Sequence, residues 1–315
     1  MSELRSEWFR PESISAETAA FNANLEAQVA AAPHPTTVPV EETRAVRDAM
    51  NEQKKLDFAE ERSFGPVPSR ILRPERIEGV FLWIYGGGWR GGRPWYNEDY
   101  LWKLAQSSNV ATLAAGYRLA PEHPYPAAPD DCEAAALWLI KNAAAEFGTE
   151  RIVIGGGSAG AHLAAVTLQR LRDRHGYTGF LGADMVYGVY DLGGTPWMRT
   201  VGEHVPAWDW RSMQQGVEWF AGERDLRDPD ISPLYGDLTS MPPALFTIGT
   251  RDSLLEDTLF MHARWLAAGN EAELAVYPGG VHGFDGQPLK IADESRARRQ
   301  AFVRARLGVA VGASR

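Results

Sequence analysis

Residues 79–85 read Gly-Val-Phe-Leu-Trp-Ile-Tyr, a nearly continuous apolar run. A strand with one wet face would alternate apolar and polar residues. This one does not, so both of its faces must be covered. Further strand candidates are residues 110–116, 151–155, 185–190, 244–249 and 273–277. Helical stretches at 130–141, 158–174 and 255–268 lie between several of them. Strands alternating with helices predict a mostly parallel central sheet flanked by helices on both faces, an α/β architecture. Hydrophobic residues make up 44% of the 315-residue chain, enough to fill such a core.

Two segments do not fit the alternation. Near the N-terminus Ser15 can cap a helix reaching about residue 32, where Pro33, Pro35 and Pro39 break it. A second helix fits residues 43–55. Residues 192–230 separate two strands by more than an ordinary connection and hold Trp197, Trp208, Trp210, Trp219 and Phe220. The expected organisation is therefore an N-terminal helical part of a cap at 1–55, a catalytic body at 56–191 and 231–315, and an inserted cap segment at 192–230. The two cap parts together could roof a pocket.

The strongest motif is Gly156-Gly157-Ser158-Ala159-Gly160, placed after a strand and opening a helix. In a nucleophile elbow a serine sits in a strained turn and projects its Oγ from the sheet edge. Side chains two positions either side of it would collide, so glycine is needed there. The following helix aims N–H groups at developing negative charge. Tyr85-Gly86-Gly87-Gly88-Trp89 ends the earlier buried strand, where bare backbone can approach a ligand. Beside an elbow, that is where an oxyanion hole belongs. Each motif taken alone could be a glycine-rich turn.

A serine hydroxyl needs a general base and an orienting acid. In this arrangement the chain order is Ser, then Asp or Glu, then His. Of seven histidines, only His282 follows a late strand, in the loop Pro278-Gly279-Gly280-Val281-His282-Gly283-Phe284. His34, His123, His162, His175, His204 and His262 lie before the sheet, in a proline-rich loop, in the cap segment or within helices. Asp252 directly follows strand 244–249. Asp191 is the weaker rival, Asp257 sits one helical turn too far on, and Asp285 is too close to His282.

At this point the chain resembles a known family. Tyr117-Arg118-Leu119-Ala120-Pro121-Glu122-His123-Pro124-Tyr125-Pro126-Ala127-Ala128 is similar to a signature of the hormone-sensitive-lipase-like esterases. So are Asp228-Pro229-Asp230-Ile231-Ser232-Pro233-Leu234, Arg251-Asp252-Ser253-Leu254 and His282-Gly283-Phe284. The resemblance runs from about residue 81 to the end. It implies an α/β-hydrolase fold with a two-part helical cap, carboxylic ester hydrolysis without a cofactor, and Ser158, Asp252 and His282 as triad. It implies Gly87, Gly88 and Ala159 as oxyanion donors and a structural role for the 117–126 run. Microbial members of the family are often homodimers. Three positions depart from the pattern. Tyr85 stands where the family usually has His, Gly157 where it has an acid, and Ser253 where it has Pro.

The net charge of −9 argues against nucleic acid and anionic lipid as partners. Cys132 is alone, so no intramolecular disulfide forms, and no Cys/His cluster has metal spacing. With no secretory pattern and no apolar run long enough to span a bilayer, a cytoplasmic protein is expected. The leading expectation is a serine carboxylesterase for small or aromatic esters. Its pocket would be lined by Trp89, Trp95, Trp208, Trp210 and Tyr85, with no metal and no cofactor. Competing expectations are an amidase or formamidase, a carbamate hydrolase or a lactonase with the same triad, or a small-molecule-binding protein built on this fold.

Overall fold

The computed structural model describes residues 4–201 and 209–309. In chain order the elements are α1 (Ala16–Ala31), α2 (Val40–Asn51), β1 (Glu60–Phe64), β2 (Val67–Leu72), β3 (Gly79–Ile84), α3 (Glu98–Ser108), β4 (Val110–Ala115), α4 (Ala127–Phe147), β5 (Ile152–Gly157), α5 (Ala159–His175), β6 (Ala183–Val186), α6 (Pro196–Val201), α7 (Trp210–Ala221), β7 (Ala244–Gly249), α8 (Leu255–Ala267), β8 (Ala272–Tyr277) and α9 (Lys290–Leu307).

The eight strands form one sheet in the order β1-β2-β4-β3-β5-β6-β7-β8. Pairing is parallel from β4 through β8. The hairpin β1–β2 closes one edge antiparallel, and β2 also meets β4 antiparallel. Every residue of β3, β4, β5, β6 and β7 is buried, the property the apolar runs require. The edge strand β1 reads Glu-Glu-Arg-Ser-Phe and buries only Phe64. Its charges guard an edge against pairing with another chain.

Most elements stand within a few residues of their expected places. Ser15 does cap α1, accepting from the Thr18 N–H at 3.1 Å. Strand β6 is shorter and earlier than expected. It ends at Val186, and Tyr187 then adopts a positive φ of 36°, so residues 187–190 leave the sheet although they are apolar. Strands β1 and β2 and helices α3 and α9 were not anticipated.

Helix α9 is pinned across the sheet by a buried charge. Arg299 is 1% exposed and Asp184, on β6, is 0% exposed. The Arg299 Nε donates to Asp184 at 2.9 Å, and its Nη1 donates to Asp285 at 2.7 Å. The guanidinium also lies 4.5 Å from the Tyr100 ring centroid and 5.2 Å from that of Trp83. Burial pushes the Asp184 carboxyl up, and Arg299 pulls against it. Removing one partner of a buried pair leaves an uncompensated charge, which costs far more than the pair contributes. Arg299→Met should therefore lower unfolding stability by about 3–5 kcal/mol. Urea unfolding at pH 7 reads this directly. A loss below about 1 kcal/mol would mean that Asp184 finds another partner.

Candidate active site

Strands β3, β5, β6, β7 and β8 all deliver their C-terminal ends to one rim of the sheet, and the site is assembled there. The turn between β5 and α5 holds Ser158 at φ 56° and ψ −125°, a region non-glycine residues seldom occupy. The turn is tight because α5 starts against the strand ends. A Cβ on Gly160 would overlap the Ile84 carbonyl, and one on Gly156 would overlap the Gly160 backbone. Glycine is thus required at both positions. At Gly157 a Cβ would meet only ordinary contacts, 3.5 Å from the Tyr187 ring and 3.6 Å from Trp83. The absence of a side chain there is a matter of pocket shape, not of backbone need.

His282 and Asp252 come from neighbouring strand-end loops that are stapled together. The Gly279 N–H donates to Thr250 Oγ1 at 2.8 Å, and the Arg251 N–H donates to the Gly280 carbonyl at 3.0 Å. From these loops His282 Nε2 lies 2.9 Å from Ser158 Oγ. His282 Nδ1 lies 3.0 and 3.1 Å from the two Asp252 carboxylate oxygens. Asp252 is fully buried, and one of its oxygens also accepts the Leu254 N–H at 2.8 Å. The rival Asp191 is elsewhere, accepting from the Tyr235 hydroxyl and the Gly193 N–H. Helix α1 braces the His282 loop, since Asn22 donates to the Gly279 carbonyl at 2.9 Å.

The loop after β3 takes positive φ at Gly87 (144°), Gly88 (59°) and Trp89 (58°). A Cβ on Gly87 would overlap the Gly91 carbonyl. Among the described residues neither the Gly87 nor the Gly88 N–H donates a backbone hydrogen bond. What holds this loop is Trp89. It is 1% exposed, stacks on Phe220 of α7 at 4.9 Å, and donates from Nε1 to His162 Nδ1 at 3.1 Å. His162, on α5, is fully buried and its Nε2 meets the Ile231 carbonyl at 2.8 Å. With an N–H donor at one nitrogen and a carbonyl at the other, the ring is neutral and carries its proton on Nε2.

Ser158 and His282 open into a cavity of about 470 Å³. It is also lined by Gly86, Gly87, Gly88, Trp83, Tyr187 and residues of the N-terminal segment. Most of the aromatic residues expected on this wall are placed otherwise. Trp89 is the loop anchor just described. Trp210 packs beside Arg199, whose guanidinium lies 4.8 Å from its ring centroid. Trp95 and Tyr85 border a separate cavity of about 490 Å³. Tyr85 stacks on Tyr117 at 4.4 Å, and each hydroxyl donates to the other residue's carbonyl, at 3.3 and 3.0 Å. None of these four residues lines the cavity at Ser158. Trp89 and Tyr85 are packed by neighbours that local sequence does not reveal, His162 and Phe220 for the one and Tyr117 for the other. Trp208 lies outside the described residues. Sequence reasoning missed Tyr187, whose ring meets His282 edge-on at 4.9 Å and whose hydroxyl donates to Asp285 at 2.6 Å. Its place one residue past β6 is the signal that could have found it. Among the described residues no group of three or more His, Cys, Asp or Glu could hold a metal ion. No helix among them is long and apolar enough to cross a membrane.

A family model described as the alpha/beta hydrolase fold matches residues 81–286. The chain belongs to the α/β-hydrolase family. Within it, the chain is a member of the hormone-sensitive-lipase-like branch, as its relatives indicate. It is 29% identical over 272 residues to the esterase LipI of Mycobacterium tuberculosis, covering 81% of this chain and 82% of that one. It is 32% identical over 244 residues to an ethyl acetate hydrolase of Pseudomonas putida, covering 72% and 75%. The solved structure of a hormone-sensitive lipase from a metagenome library superposes with a TM-score of 0.85 at 28% identity, covering 92% of this α/β-hydrolase and 98% of that chain.

The buried His162 makes stability pH-dependent. Burial pushes its imidazole down to about 4, against an ordinary value near 6.5. The unfolded chain then binds the proton more readily than the folded one. The stabilisation is complete above about pH 6.5 and is lost as pH falls toward 4, by about 3 kcal/mol in all. Asp257, raised by burial to about 7, acts in the opposite sense over much of the same range. His162→Gln can keep both hydrogen bonds without titrating, while Asp257 remains in both proteins. Between pH 6.5 and 4.5 the urea midpoint should therefore fall more in the native protein than in His162→Gln. Equal pH slopes would mean that His162 protonates without disturbing Trp89.

Proposed function

We propose that this α/β-hydrolase is a serine carboxylesterase acting on small ester substrates. The observation that carries the reading is the hydrogen-bonded line from Ser158 Oγ through His282 to the buried Asp252, beside the Gly87 and Gly88 N–H groups. In the reaction, Ser158 Oγ forms a bond to the ester carbonyl carbon as its proton passes to His282 Nε2. The carbonyl oxygen takes the negative charge and is held by the N–H groups of Gly87, Gly88 and Ala159. The carbon–oxygen bond to the alcohol breaks, and His282 returns the proton to that oxygen. Water, giving a proton to His282, then cleaves the acyl-enzyme to the acid and restores Ser158. Asp252 accepts from the Nδ1–H, which sets the tautomer and favours the imidazolium that forms.

The names of the relatives agree with this chemistry, since they include esterases and an ethyl acetate hydrolase. The roof of the pocket is proposed to be the cap, made of residues 1–55 and 192–230. Supporting this, Arg47, Asn51 and Lys54 border the cavity. The two parts also touch. His34 Nε2 lies 2.7 Å from Asp209, which caps α7, and Gln215 of α7 donates to the Thr36 carbonyl at 3.3 Å.

Ser158→Ala and His282→Ala should each lower kcat on p-nitrophenyl butyrate by roughly 10³-fold or more, and Asp252→Asn by a similar or smaller factor. A fluorophosphonate should label the native protein and not Ser158→Ala. Retention of more than a tenth of native kcat by Ser158→Ala would remove Ser158 from the mechanism.

A further inference from the structure

The chain as a whole is acidic, with 41 Asp and Glu against 32 Lys and Arg. The cavity at Ser158 is the reverse. Its wall carries Arg47, Lys54 and Arg90, with Asp285 as the one carboxylate among the described lining residues. Asp285 is already engaged, by the Tyr187 hydroxyl at 2.6 Å and by Arg299 at 2.7 Å. The other nearby acids are engaged too. Asp48 of α2 is held by Arg93 at 2.8 Å and by the Tyr96 hydroxyl at 2.7 Å. Glu122 is paired with Arg44. Glu41, Glu42 and Glu52 point to solvent and do not border the cavity.

Among the described residues no ion pair engages Arg47 or Lys54. Both are half-buried, and the Arg47 guanidinium lies 5.9 Å from the Tyr96 ring centroid. Arg90 is 8% exposed and donates to Gln215 at 2.8 Å. Burial lowers the Arg90 guanidinium, and the positive charges of Arg47 and Arg44 lower it further. A cluster of like charges is unfavourable until something compensates it. Concave walls of low dielectric also focus such a field into the cavity. An apolar ester would leave this field unanswered.

We propose that the preferred ester carries an anionic group, a carboxylate or a phosphate, and that Arg47 and Lys54 bind this group while Ser158 attacks the carbonyl. The inference rests on the reading of Ser158 as the esterase nucleophile. The N-terminal segment thereby becomes a specificity element as well as a roof. Because the two cations are only half-buried, they contribute mainly to capture, so the effect belongs in KM and should weaken with salt.

The test compares matched probes at low ionic strength. Mono-p-nitrophenyl succinate carries a carboxylate on the acyl side, and p-nitrophenyl valerate is its neutral counterpart. The second pair, 2-acetoxyethyl phosphate and ethyl acetate, places a phosphate on the alcohol side. For at least one pair the native enzyme should favour the anion by about tenfold or more in kcat/KM, through KM, and 0.5 M salt should erode the advantage. Arg47→Gln and Lys54→Gln should bring the anionic-to-neutral ratio toward one. Arg47→Glu, whose folding is checked by circular dichroism, should turn over a choline ester better than the native enzyme does. The proposal is overturned if both neutral probes outrun their anionic partners in the native enzyme. It is equally overturned if an anionic advantage survives Arg47→Gln and Lys54→Gln. If no probe is cleaved and the fluorophosphonate does not label Ser158, the esterase reading fails and this inference fails with it.

Discussion

Helix α5 enters the sheet so closely that its first turn touches the ends of β3 and β5, and the site depends on that approach. Gly156 and Gly160 leave no room for a Cβ, and Ser158 between them is held at φ 56°. A serine in that conformation costs the fold about 1–3 kcal/mol of backbone strain. The return is positional. The hydroxyl leaves the sheet edge at the height of His282, and the Gly86–Gly88 loop lies alongside because β3 pairs directly with β5. Parallel strands from β3 to β8 end on the same rim, so groups up to 124 residues apart meet without further folding.

Two buried networks hold the rim. One runs from Trp89 through His162 to Ile231 and joins the loop after β3 to the nucleophile helix and, through Phe220, to α7. The other runs from Asp184 through Arg299 and Asp285 to Tyr187 and His282. The first is neutral and depends on hydrogen bonds; the second is ionic and depends on matched charge. Both bring a remote helix to bear on a loop that borders the cavity at Ser158. Loops alone have too few contacts to keep a catalytic geometry.

The central strands were legible because a strand buried on both faces has no polar positions to blur the pattern. Strand β7 was expected at 244–249 and is found as Ala244–Gly249. Edge elements were not legible. Strand β1 is mostly exposed and charged, so its sequence reads as a loop. The end of β6 is not legible because Gly188, Val189 and Tyr190 look like a strand continuing. Their burial is real, but Tyr187 turns the backbone out of the sheet and the ladder stops. Aromatic residues were the least legible part of the site. A tryptophan is large and apolar wherever it lies, and only its neighbours decide whether it faces a substrate or Phe220.

The sequence by itself determined the α/β layering, the family, and which Ser, Asp and His stand after strand ends in an order that could act together. These are properties of local pattern, written in apolar runs and in glycines whose spacing reflects steric need. Only the tertiary structure decided what surrounds those three residues. Trp89 and Tyr85 became packing once His162 and Tyr117 claimed their faces. Arg47 and Lys54, more than a hundred residues before Ser158, became the cationic wall of its cavity. No local pattern encodes either outcome, because the sign of a charge is set by its residue but the field in a cavity is set by every charge that folding brings around it.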